Sequence, residues 1–132
     1  MLATFDVPFE PEAVEVAVDS AVESGQPLLV VNVAEMPILP ISMSLGYEYL
    51  ETDELTLALR EPADLAASLG VSVELLRVSS PRPVEALLQL VAERSPGLLV
   101  VGPERTALRR RKHGKATRRI RERVTCLLWL RD

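Results

Sequence analysis

Hydrophobic residues recur along the chain in two rhythms. Near-continuous apolar runs of strand length alternate with stretches in which apolar residues return every three or four positions. Leu28-Leu29-Val30-Val31-Asn32-Val33 is almost wholly apolar and rich in β-branched residues, as in a strand covered on both faces. Leu98-Leu99-Val100-Val101-Gly102 repeats that character, and Thr125-Cys126-Leu127-Leu128-Trp129-Leu130 predicts a strongly apolar last strand. Residues 2–6 predict a short first strand ending at Asp6. Residues 71–78 alternate only in part and predict a strand nearer a sheet edge.

Helical spacing fills the intervals. Val14, Ala17, Val18, Ala21 and Val22 share one face of a helix expected from about Pro11 to Ser24, with Gly25 just past its end. A second helix is expected from about Thr52 to Leu69, ending at Gly70, with a kink or restart at Pro62. Pro83 opens a third, to about Arg94, with Val84, Leu87, Leu88 and Val91 on one face. Residues 103–113 are expected to form a basic loop. A basic helix then runs from about Gly114 to Arg123, with Ala116, Ile120 and Val124 as its apolar stripe. The segment from Met36 to Leu50, broken by Pro37, Pro40 and Gly46, is expected to be a loop. The order β-α-β-α-β-α-β-α-β predicts a three-layer α/β/α, Rossmann-like domain. It has a five-stranded, mostly parallel sheet with helices on both faces.

Composition narrows the class. The chain has 132 residues, which suits a single domain over 1–132. Apolar residues make up 48% and aromatics only 4%, so the core must be aliphatic. One cysteine, Cys126, allows no internal disulfide, and one histidine, His113, leaves too few soft ligands for an ordinary zinc site. Cys126 reads as a small core residue, His113 as a surface residue, and Trp129 as core or interface. Neither a secretory leader nor a membrane helix is expected, and a cytoplasmic location follows.

Charge is divided unevenly. Up to Val101 there are 16 acidic and 4 basic residues, a net of −12; from Gly102 onward 11 basic and 3 acidic residues give +8, so the whole is −4. A basic region attached to an acidic body suits an acidic partner, a second subunit or a phosphate. The acidic total and the lack of interleaved aromatics argue against nucleic acid.

In a parallel sheet, ligands lie outside the carboxyl ends of the strands, near a reversal of strand order. Asp6 and Gly102 stand at two such ends. A glycine there lets backbone amides approach a phosphate, and a helix start offers further amides, although glycine at strand and helix ends is also common punctuation. Asp6 could be functional or could cap the helix that follows it. No serine, histidine and acid set is present for triad hydrolysis.

These pieces together resemble the universal stress protein family over nearly the whole chain. The resemblance rests on Thr4-Phe5-Asp6 ending the first strand, Leu69-Gly70-Val71 leading into the third, and the proline-opened third helix. Leu99-Val100-Val101-Gly102 and the Cys126–Leu130 strand complete it. Nucleotide-binding members carry Gly-x-x-Gly, nine residues, then Gly followed by Ser or Thr. Here Gly102 matches the first glycine and Arg105 stands at the second. Gly114 resembles the third, one residue early, Lys115 takes the hydroxyl position, and Thr117 is the next hydroxyl. Asp6 matches a family position near the adenosine, and Val33 a position flanking the nucleotide.

The resemblance implies a regulatory binding module with a remodelled pocket for ATP or a related nucleotide, and Mg²⁺ only with the nucleotide. It also implies a homodimer through the final strand, residues 125–131. Arg105, Arg109, Arg110, Arg111, Lys112 and Lys115 could hold phosphates by side chains where amides no longer do. The alternative is a dimeric interaction protein that binds no nucleotide and whose residues 103–123 dock an acidic partner. A weak ATP hydrolase ranks below both, because Asp6 has no companion base or magnesium carboxylate.

Overall fold

The computed structural model describes residues 1–35, 53–103 and 110–130. The expected loop over residues 36–50 and the start of the basic segment, residues 104–109, lie outside these. In chain order the elements are β1 Leu2–Thr4, α1 Pro11–Ser24, β2 Leu28–Glu35, α2 Asp53–Ser68, β3 Val73–Ser80, α3 Pro83–Arg94, β4 Leu98–Val101, α4 Arg110–Arg123 and β5 Leu127–Leu130.

All five strands form one sheet in the order β3-β2-β1-β4-β5, and every pairing is parallel. Residues alternate between the two faces. Leu2, Val30 and Val100 pack under α1 and α2, against Ala13, Ala17, Val18, Leu59 and Ala66. Ala3, Val31, Val33, Leu99 and Val101 face the other way, against Leu87 of α3 and Ile120 of α4. The apolar runs in β1, β2 and β4 follow from this burial on both faces.

Several boundaries move from their expected places. β3 begins at Val73, because the preceding residues cap a helix. Gly70 takes a left-handed φ of 83°. Its N–H donates to the Ala67 carbonyl, and the Val71 N–H reaches back to Ala66. This is the Schellman arrangement at the end of α2, and Leu69-Gly70-Val71 is spent on it. α2 runs through Pro62 as one helix rather than restarting, with the proline ring fully buried. That burial offsets part of the lost backbone bond. β1 stops at Thr4, two residues before Asp6, and β5 starts at Leu127. α4 begins at Arg110, four residues ahead of the expected start at Gly114.

Candidate functional site

Strand order reverses between β1 and β4. From β1 the chain winds outward to β2 and β3, then returns to β4 and β5 on the opposite flank. The helices following β1 and β4 therefore leave on opposite faces, opening a crevice at the carboxyl ends of these two strands. Asp6 follows one strand and Gly102 the other, as the sequence suggested.

Gly102 is held by the protein itself. Its N–H donates to the Ala3 carbonyl at 3.0 Å, and its carbonyl accepts from the Glu10 N–H at 2.8 Å. Phe9 and Pro103 form an antiparallel bridge beside it, and both are buried. A Cβ on residue 102 would lie 2.0 Å from the Cβ of Ala13, in the first turn of α1. Glycine is thus required here for α1 to approach the sheet, and its amide is already engaged within the sheet.

The turn after β1 is organised around Asp6. Its backbone is left-handed, with φ 56°, a region that Asp tolerates better than most residues. Its N–H donates to Asn32 Oδ1 at 2.8 Å, and Asn32 Nδ2 donates to Asp6 Oδ1 at 3.4 Å. Thr4 Oγ1 donates to the Val7 carbonyl at 2.8 Å across the same turn. The Asp6 side chain is exposed. It caps no helix: α1 opens at Pro11 with Glu10 before it and no side-chain cap bond.

No motif in the sequence singles out Asn32. Its signal was legible, because it is the polar interruption in an otherwise apolar run. A buried amide needs partners, and the turn at Asp6 supplies them. Val33 follows it at the same end of β2. Its side chain is 1% exposed, in the core beneath α3 and α4, so its backbone is what it can offer a ligand.

The remaining candidates lie on α4. Gly114 falls inside this helix, with open space where a Cβ would be. Lys115 is exposed and Thr117 partly buried. Lys115, Arg118, Arg119, Glu122 and Arg123 border a shallow, open depression of about 280 Å³ on the outer face. Arg119 also pairs with Glu85 of α3. Among the described residues, no hydrogen bond or ion pair joins Gly114 or Lys115 to Asp6 or Gly102. Arg105 lies outside the described residues. The structure places Asp6, Val33 and Gly102 toward the carboxyl ends of β1, β2 and β4, and Gly114, Lys115 and Thr117 within α4, the helix that follows β4. No helix among the described residues is long and apolar enough to cross a membrane.

Comparison with known proteins agrees with this architecture. The Universal stress protein family profile matches residues 2–130. A universal stress protein crystallised with cAMP is 22% identical, covering 99% of this chain and 95% of its own, with a TM-score of 0.65. A family protein from Burkholderia pseudomallei is 16% identical, covering 96% and 92%, with a TM-score of 0.63. One from Arabidopsis thaliana, with AMP bound, is 15% identical, covering 98% and 90%, with a TM-score of 0.56. No curated protein sequence matches the chain. The chain belongs to the universal stress protein family.

Proposed function

We propose that this member of the universal stress protein family is a regulatory binding module that takes an adenine nucleotide, or a related phosphate ligand, in a remodelled crevice between β1 and β4. The observation that carries the reading is the reversal of strand order, with the exposed carboxylate of Asp6 beside it. Structural neighbours that hold cAMP and AMP support it. The ligand would meet Asp6 and the backbone at Val33 on one side and Gly102 on the other.

Its phosphates would be held by side chains. The Gly102 amide is committed to Ala3, whereas Arg105, Lys115 and Thr117 bring charge and a hydroxyl from the segment after β4. In the same reading Gly114, inside α4 and with open space where a Cβ would be, lets the ligand come close to the helix backbone. Mg²⁺ would enter only with the nucleotide. The module would act in the cytoplasm as a homodimer through β5, and its role would be stress-responsive sensing.

Calorimetric titration with AMP, cAMP and ATP, with and without Mg²⁺, tests the reading. Binding in the micromolar range without phosphate release is expected. Arg109→Ala/Arg110→Ala/Arg111→Ala should weaken ATP about tenfold or more and AMP less, since side-chain contacts scale with the phosphates present. No heat at high micromolar nucleotide would sink the proposal.

A second reading is favoured by one observation. The outer face of α4 presents Lys115, Arg118 and Arg123 to solvent, on a chain whose residues up to Val101 include 16 acidic and only 4 basic ones. In that case the helix docks an acidic protein. Reversing Arg118 and Arg123 to Glu would abolish that docking and leave nucleotide titrations unchanged.

A further inference from the structure

We infer that Thr4 and Asn32 form a positioning device that holds Asp6 as a fixed acceptor at the mouth of the crevice. The inference deepens the nucleotide reading and rests on it for the identity of the ligand.

Thr4 and Asn32 are the buried polar side chains of the described residues, 0% and 3% exposed. They are register partners on β1 and β2, so they stand side by side on one face of the sheet. Both are spent on the same turn. Thr4 binds the Val7 carbonyl, and Asn32 takes the Asp6 N–H while returning its own amide to the Asp6 carboxylate. Burying polar groups is unfavourable unless they are paired, and an aliphatic residue at either position would have served the core.

What the two side chains support is a conformation that the backbone would otherwise avoid. Asp6 has φ 56°, on an exposed residue with no helix to cap and no core to fill. Strained residues over-determined by their surroundings gather at binding sites. Asn32 occupies Oδ1 of the carboxylate, and Oδ2 has no partner among the described residues. That oxygen is an acceptor of fixed direction, suited to a hydroxyl or amino group of the ligand and opposed to a second negative charge. The device therefore favours a ligand that approaches β1 by its uncharged, hydrogen-donating part, with its phosphate turned toward the basic segment.

Asp6→Gly separates conformation from chemistry. Glycine adopts the left-handed turn at least as readily as aspartate, so the fold is kept while the carboxylate goes. Melting temperature and AMP affinity are measured for the wild type, Asp6→Gly, Asn32→Ala and the double variant. Exchange of the Asp6 amide is followed by NMR in the wild type and in Asn32→Ala. Asp6→Gly should melt close to the wild type and bind AMP about tenfold more weakly or worse. Asn32→Ala should release the Asp6 amide to fast exchange and weaken AMP by a similar factor. Added to Asp6→Gly, it should change affinity little, because the group it positions is gone. Losses that multiply in the double variant would overturn the inference, as would wild-type affinity in Asn32→Ala. If the wild type shows no AMP binding, the nucleotide reading fails and the exchange measurement decides. An unchanged rate at Asp6 in Asn32→Ala then removes the positioning role. A faster rate at an unaltered melting temperature upholds it for a different ligand.

Discussion

Gly102 illustrates how one missing Cβ sets the distance between two elements. The Ala13 Cβ lies where a side chain at position 102 would begin, only 2.0 Å away. Gly102→Ala forces α1 off the sheet end and strains the Glu10 N–H bond to the Gly102 carbonyl. Overpacking of this kind costs about 3 kcal/mol. Ala13→Gly should recover much of that loss in the double variant, less about 1 kcal/mol for glycine in a helix. Urea unfolding of the two single variants and the double variant checks the coupling. Little rescue would mean that the demand for glycine lies elsewhere. At the same scale, the sequence showed that Gly102 mattered but left two reasons open. Approach to a phosphate and approach to a helix both call for glycine, and only the position of Ala13 distinguishes them.

α4 is an element whose identity was legible and whose start was not. Its basic residues mask the apolar stripe, and a glycine near its beginning reads as a boundary. In the structure Gly114 is helical and exposed, with no neighbour against a Cβ. Gly114→Ala should therefore stabilise the protein by about 0.5–1 kcal/mol, seen as a higher urea midpoint at unchanged slope. If Gly114 instead gives a ligand close access, the same variant would lose nucleotide affinity, so stability and binding are read together. α2 teaches the converse. Pro62 predicts a kink or a restart, and the helix does not restart, because its face against β2 and β3 holds the element together across the missing bond. The strand expected over residues 71–78 runs over Val73–Ser80, since Leu69-Gly70-Val71 looks like a strand entrance but folds as a helix cap.

On the scale of the molecule, the sheet has two edges, β3 and β5. β5 is short and apolar, and its Leu127 is 75% exposed. An apolar edge strand left bare is an invitation to pair with another. If β5 is the dimer strand, Leu127→Lys should convert the protein to monomer in sedimentation equilibrium with little change in monomer stability. A dimer that survives the substitution places the interface elsewhere. The uneven charge also acts over the whole molecule. Partners drawn to the basic segment should bind less tightly as salt rises, because exposed charges farther apart than about 8–10 Å are screened at physiological ionic strength.

The sequence by itself determined the class of fold, the order of the elements and the burial of β2 and β4 on both faces. These follow from the period of apolar residues, and period is a local property. It also placed glycines at 102 and 114 in the segment that follows β4. Only the tertiary structure decided what those residues meet. Thr4 and Asn32 lie 28 positions apart, yet register makes them neighbours around Asp6. Gly102 answers to Ala13 across the sheet end, and Gly114 stands inside a helix rather than before it. Contacts of this kind depend on which strands adjoin and at what register, and no window along the chain contains both partners.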